Sequence, residues 1–292
     1  MPDNFEDYAT LYIQSARLAH STQLSYATSL AIYWTPYLGK RKIEDIRYSE
    51  LLLIDHKINW PSAKTRKNAL APLRGVFALA YIDNRLPEQS SPAHQIKLGR
   101  HQKPGADPFS KDERDLIMDW MCDKTQGLYF RTAFATGMRS GELIALEWSQ
   151  FNGESLHVHR SRVRGRIKGT KTAKERNVYL PNWLCQELEK HWTRDRGGAV
   201  FLNQYKRPFQ KPDKLNILFR ACLKDLDIKA RNGPYPWRHT YASVGITEGA
   251  EPGFLARQLG HSLETFYRTY AEWISIDRDK IQRQIIENSW RR

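Results

Sequence analysis

Between Leu86 and Pro108 the spacing of apolar residues loses its period, and this break divides the chain into halves of different character. Pro87, Pro92, Pro104 and Pro108 fall in it, with Gly99, Gly105 and few apolar residues between them. Proline removes a backbone donor and glycine relaxes the backbone, so the stretch reads as a linker. Before it, every apolar pattern is helical; after it, helical patterns are interrupted by one alternating segment. The sequence therefore predicts a multidomain α and α+β protein. An all-helical domain covers 1–98, a linker 99–108, and a mostly helical domain with a small antiparallel sheet 109–292.

In the first half, Phe5, Tyr8, Leu11, Tyr12 and Leu18 make a helical stripe over Asn4 to Leu18. A second helix, capped by Ser21 or Thr22, runs through Tyr26, Leu30 and Tyr33 and stops at Pro36 to Gly39. A third apolar patch covers Leu51 to Ile58. A fourth helix starts after Pro61 and reaches about Asn84, with Pro72 expected to kink or split it. Lys64, Arg66 and Lys67 lie at its start, where they could meet phosphate. In the second half Ser110 and Glu113 form a capping box that opens a helix over Asp112 to Met121. Further helical patterns cover Tyr129 to Ala135, Glu142 to Trp148, Trp183 to His191 and Lys214 to Leu226. Ser155 to Pro181 alternates, with turn signals at Gly165 and Gly169, and predicts two or three antiparallel strands.

Charge narrows the partner. The net charge is +14, and its densest run is Arg160, Arg162, Arg164, Arg166, Lys168, Lys171, Lys174 and Arg176, opposed only by Glu175. The i, i+2 spacing would put several of these on one strand face, a surface suited to a polyanion. No apolar run approaches the ~20 residues that span a bilayer, and the N-terminus lacks a basic-then-apolar signal, so a cytoplasmic protein without a membrane partner is expected. Cys122, Cys185 and Cys222 fit neither a disulfide framework nor a zinc site, and each reads as a small buried hydrophobe. His157 and His159 share a strand face but have no cysteine or carboxylate ligand in sequence beside them. Phosphate-loop and zinc-helix motifs are missing, so neither cofactor nor metal is expected.

Four segments carry candidate chemistry. In Ala135 to Trp148, Gly137 and Gly141 allow a tight backbone around Arg139, and Glu142 follows on the first turn of a helix. An arginine there can fork onto a phosphate while the carboxylate holds its neighbours. Gly169 to Thr172 would hold Lys171 at a hairpin tip, placed to donate a proton or touch phosphate. Tyr235 to Ser243 puts Arg238 and His239 at the opening of an apolar helix, and Leu259 to Trp273 puts His261 at a helix boundary ahead of Tyr270. Taken singly, each is more often structural than catalytic.

As an ordered set they resemble the catalytic signature of the tyrosine recombinase, or phage integrase, family over about Phe109 to Trp273. The resemblance makes Arg139 and Arg238 the two catalytic arginines, Glu142 the supporting acid, Lys171 the hairpin lysine and His261 the Leu-Gly-His histidine. Tyr270, nine residues after His261, falls at the family's usual spacing for the nucleophile. Tyr267 and Tyr241 are poorer candidates. One position departs from the pattern: the family's usual His-x-x-Arg box reads Tyr235-x-x-Arg238 here. A phenol can hydrogen-bond a phosphate oxygen but is a poor base at neutral pH. His239, one residue further along the helix, is expected to point elsewhere.

The resemblance implies a helical core-binding domain, a catalytic domain, and phosphoryl transfer without metal or nucleotide. Arg139 and Arg238 would clamp the scissile phosphate, Tyr270 would form a 3′-phosphotyrosine, and Lys171 would protonate the leaving 5′ oxygen. His261 would donate to the phosphate or help deprotonate Tyr270. Lys64, Arg66, Lys67, Arg162, Arg164, Arg166, Lys168 and Lys174 are the candidate DNA contacts. The implied partners are double-stranded DNA with specific recombination sites, three further copies in a tetramer, and accessory DNA-bending or directionality proteins, at the nucleoid. Integration or excision of a prophage or other mobile element is the leading expectation. A Xer-like resolvase, a type IB topoisomerase and a non-catalytic DNA-binding derivative are the alternatives. No segment resembles the arm-binding domain many such integrases carry, which leaves an arm-less type or a fragment.

Overall fold

A computed structural model describes residues 2–86, 92–98, 105–169, 175–231, 233, 235–274 and 279–290. The chain forms two compact units, Met1–Lys103 and Pro104–Arg292. Among the described residues no helix is long and apolar enough to cross a membrane.

The first unit holds α1 (Phe5–Ser15), α2 (His20–Ser29), α3 (Thr35–Leu38), α4 (Tyr48–Lys57) and α5 (Ala63–Ile82). Asn4 caps α1 by accepting from the Asp7 N–H, satisfying one of the donors a helix start leaves open. The core gathers Phe5, Tyr8, Leu30, Trp34, Leu38, Leu70, Leu73 and Phe77, all essentially removed from water. The second helical run stops within the expected Pro36 to Gly39, but by a bent route: a π-turn over Leu30–Trp34 joins α2 to α3, with the Thr35 N–H donating to the Leu30 carbonyl, and α3 ends at Leu38 with Gly39 as its C-cap. This five-residue pairing shifts the register just ahead of a residue that has no N–H. Pro72 does not split α5, which runs unbroken through it. Pro72 is buried, and the indole N–H of Trp34 donates to the Ala69 carbonyl in the turn before it. Tertiary packing holds the helix where its own ladder is weakest. The cap of α2 is Ala19, with no side-chain bond, in place of Ser21 or Thr22.

In the second unit, α6 (Lys111–Met121) opens with the expected capping box of Ser110 and Glu113. Glu113 also receives the Arg231 guanidinium, which reaches the Pro108 carbonyl and lies over the Phe109 ring. The unit continues with α7 (Gly127–Thr136), α8 (Ser140–Leu143), α9 (Asn182–Glu189), α10 (Asp213–Asp225), α11 (Pro236–Glu248), α12 (Pro252–Leu259), α13 (Leu263–Tyr270) and α14 (Asp279–Trp290). The helix expected over Glu142 to Trp148 ends at Leu143. Beyond it the backbone pairs with another segment, Trp148 N–H to Gly198 O and Val200 N–H to Leu146 O, and these bonds displace helical ones. Phe130, Phe219 and Trp237 form the aromatic centre of the core, with Trp237 edge-on to Phe219.

The alternating segment yields four strands, not two or three. β1 (Ser155–Val158) pairs antiparallel with β4 (Arg176–Tyr179), and β2 (Arg160–Val163) with β3 (Arg166–Gly169). Arg164 and Gly165, both at positive φ, make the two-residue turn that matches strand twist. That turn sets Val163 opposite Arg166 and Ser161 opposite Lys168. Directly opposed residues share a face, so Arg160 and Arg162 lie on one side of the hairpin and Arg166 and Lys168 on the other. The single basic face expected from the i, i+2 spacing is therefore corrected to two. Cys185 and Cys222 are buried as expected, while Cys122 is exposed.

Candidate active site

The helix α7 ends at Gly137 in the left-handed conformation (φ 62°), and the chain then turns through Met138 and Arg139 into α8. A Cβ at Gly137 would sit 2.6 Å from Leu259 and 2.9 Å from Tyr241, so both conformation and space call for glycine. Trp237 and Arg238, at the start of α11, pin this turn. The Trp237 indole donates to the Met138 carbonyl at 2.9 Å and the Arg238 guanidinium to the Gly137 carbonyl at 2.8 Å.

Glu142 organises the cations. It is 3% exposed; it accepts from the backbone N–H of Arg139 (2.9 Å), the Arg139 guanidinium (3.0 Å), and both terminal nitrogens of Arg176 (3.1 and 2.8 Å). Burial alone would raise its pKa, but the Arg176 fork, the Arg139 N–H and the Arg139 charge together hold it down at about 2. Arg176 also donates to the Gln258 carbonyl, while the Gln258 side chain accepts from Tyr179 N–H, stitching α12 to β4.

Arg238 is 4% exposed and has no carboxylate partner among its described contacts. It donates to two carbonyls, Gly137 and Leu259, that end α7 and α12, and to Nε2 of His261 at 2.8 Å. Burial, and then the charge of Arg139, push its pKa below the usual range; the guanidinium stays cationic and favours an anion beside it. Since arginine can only donate, Nε2 of His261 is the acceptor and Nδ1 carries the proton. That Nδ1 is buried and has no hydrogen-bond partner among the described residues. Burial and the facing Arg238 and Arg139 hold the imidazole down at about 3, so it is neutral at pH 7. His261 is therefore a fixed N–H donor awaiting an acceptor.

Tyr270 ends α13, fully buried among His261, Phe266 and Trp273. Its hydroxyl lies 3.1 Å from Nδ1 of His239. Burial pushes the phenol up to about 12, with Arg238 and Arg139 pulling the other way. The expectation that His239 points elsewhere is thus corrected: adjacent helical positions are only ~100° apart, and both Arg238 and His239 reach the same site. Arg176 was likewise absent from the candidate set; its role arises from pairing with a carboxylate 34 positions away, which no local spacing signals. Tyr267 is 45% exposed, and Tyr241 packs against Gly137.

Tyr235 caps no helix bond with its side chain and packs edge-on against Trp237, in a groove with Ser140 and Arg220. Lys171 and Lys174 lie outside the described residues. In the first unit Lys64 and Lys67 are exposed, but Arg66 forms a fork on the buried Asp55, which also accepts from Trp60. Arg66 therefore holds the α4–α5 junction. On the hairpin Arg162 donates to Gln210, Arg164 occupies the turn, Arg166 is exposed and Lys168 half-buried. Among the described residues no group of three histidines, cysteines or carboxylates is placed to hold a metal; His157 bonds instead to Asn177 and Glu175.

Two arginines, one orphan imidazole N–H and a buried phenol come together here, an arrangement able to seat an anion beside a hydroxyl. Prophage integrase IntR of Escherichia coli (strain K12) is 26% identical over 263 residues, covering 79% of this chain and 63% of that protein. The putative defective protein IntQ of the same strain is 25% identical over 73% of this chain and 61% of its own. The chain thus spans about three fifths of the length of these relatives. The Tn1549 transposon integrase (residues 82–397), solved with a circular intermediate DNA, matches with a TM-score of 0.81 at 16% identity, covering 97% of this chain and 99% of that one. A lambda integrase tetramer bound to a Holliday junction matches at a TM-score of 0.73 and 16% identity, over 89% of this chain and 78% of that chain. The model of the phage integrase family matches residues 108–273, more than half of the sequence, and the chain belongs to that family.

Proposed function

We propose that this chain is a site-specific DNA recombinase that cuts and rejoins DNA through a phosphotyrosine at Tyr270. The observation that carries the reading is that Arg238 bonds Nε2 of His261, leaving its Nδ1–H unpartnered, while the His261 ring stacks on Tyr270 and Glu142 holds Arg139 in the same site. A phosphodiester seated there would receive two guanidinium charges and satisfy the orphan donor. Such preorganised donors are the main source of transition-state stabilisation in phosphoryl transfer. The Tyr270 oxygen bonds to phosphorus as the bond to the 5′ oxygen breaks, leaving a 3′-phosphotyrosine and a 5′-hydroxyl. Lys171 is the proton donor to that oxygen. The covalent link conserves the bond energy, so strands rejoin without a nucleotide.

The substrate is double-stranded DNA carrying specific sites, gripped by the catalytic domain (109–292) and by the helical domain (1–98), with 99–108 as linker. Lys64, Lys67, Arg162, Arg164, Arg166, Lys168 and Lys174 contact phosphates. The E. coli relative named a prophage integrase and the integrases solved with DNA support integration or excision of a mobile element, by four copies on two duplexes, in the cytoplasm at the nucleoid. The test is capture on a pool of randomised nicked duplexes from which the cleaved 5′ end diffuses away. Wild-type protein should form a covalent adduct mapping to Tyr270, insensitive to EDTA, and Tyr270→Phe should form none while still binding DNA. An adduct at Tyr267, or a metal requirement, refutes the scheme; relaxation of supercoils with no site preference points to a topoisomerase.

A further inference from the structure

A buried phenol attacks phosphorus only after losing its proton, and among the described residues the structure shows one acceptor beside it. His261 is excluded because its Nε2 lone pair is taken by Arg238, which leaves only an N–H donor. Tyr235, in the place of the family's box histidine, is a phenol packed on Trp237. Arg139, Arg176 and Arg238 are donors only. Nδ1 of His239 lies 3.1 Å from the Tyr270 oxygen, with the ring centroids 5.8 Å apart. His239 is half-buried where Tyr270 is fully buried.

We propose that His239 is the general base of the reaction, taking the Tyr270 proton on Nδ1 and thereby filling the function left open by the Tyr235 substitution. The inference rests on the phosphotyrosine reading above. As the Tyr270 O–H bond breaks, its proton goes to His239 Nδ1 and the oxygen lone pair forms the bond to phosphorus. The bond from phosphorus to the 5′ oxygen breaks, its electron pair stays on that oxygen, and Lys171 protonates it. In religation the incoming 5′-hydroxyl gives its proton to Lys171 as its oxygen bonds to phosphorus, the bond to the Tyr270 oxygen breaks, and His239 returns a proton to that oxygen.

The experiment is single-turnover cleavage of the captured site by wild-type chain, His239→Ala and His239→Asn, each on two substrates. One substrate is ordinary DNA; the other carries sulfur at the bridging 5′ position, which leaves as a thiolate without needing a proton. General-base catalysis contributes on the order of 100-fold or more. His239→Ala should lose about that factor on both substrates, with unchanged DNA binding and with rate restored by added imidazole. His239→Asn keeps an acceptor near Nδ1 but cannot titrate, and should stay as slow. Lys171→Ala should be rescued by the sulfur substrate. Rescue of His239→Ala by sulfur, a loss under about fivefold, or wild-type rate from His239→Asn overturns the assignment while leaving the Tyr270 adduct in place. Absence of any wild-type adduct overturns both.

Discussion

The carboxylate of Glu142 is buried, forked by Arg176 and bonded to Arg139, and these contacts lower its pKa from 4.5 to about 2. At ~1.4 kcal/mol per pH unit, that drop corresponds to about 3 kcal/mol of stability at neutral pH. Because the folded pKa is depressed, the stabilisation is complete above about pH 5 and is lost as pH falls towards 2. At pH 3 linkage leaves about 1 kcal/mol of it. Glu142→Gln is nearly isosteric and mimics the protonated acid. It should therefore cost roughly 3 kcal/mol at pH 7 and only about 1 kcal/mol at pH 3. The assay is equilibrium urea unfolding of both proteins at several pH values, with a peptide-resolved hydrogen-exchange pulse assigning the transition to β4 and α12. A gap that stays constant with pH, or that widens on acidification, would refute the idea that ionised Glu142 holds these two arginines. The same variant should slow Tyr270 adduct formation at pH 7, since Arg139 loses the partner that orients it.

Arg66 and Lys64 separate structure from DNA contact on one helix turn. Arg66→Ala strands the buried Asp55 and should destabilise the helical unit by about 3–5 kcal/mol in urea unfolding, whereas Lys64→Ala should leave stability unchanged and reduce the salt dependence of DNA binding by about one counterion. If Lys64→Ala leaves the salt slope intact, that helix start is not on the phosphate path. Gly137→Ala forces a side chain into a left-handed position against Leu259 and Tyr241, and should lower stability by more than ~1 kcal/mol while slowing cleavage through Arg139; wild-type behaviour in both would contradict the packing.

What the residues disclosed in advance follows the range of the interactions involved. The Ser110–Glu113 capping box is written within four positions, and it forms as expected. The nine-residue step from His261 to Tyr270 spans one loop and one short helix, and the two rings do stack. Arg176 looked like one member of a basic run, because its partner Glu142 comes from another element. Nothing local tells whether His239 faces the site, since a helical step of ~100° from Arg238 allows either answer. Pro72 shows the same limit: it removes a ladder bond locally, yet α5 runs through it in packing that includes the Trp34 indole on the Ala69 carbonyl, a contact from another element. The hairpin's two-faced charge depends on a turn type that sets which residues stand opposite.

Arg238 is seated by the main-chain carbonyls of Gly137 and Leu259, at the ends of α7 and α12. Helix C-termini carry partial negative charge, so they orient the guanidinium without cancelling it as a carboxylate would. The seat is therefore indifferent to most side chains around it, and sequence can drift through both helices without moving the cation. The constraint narrows to the two left-handed glycines, Gly137 and Gly260, that turn the backbone at those ends.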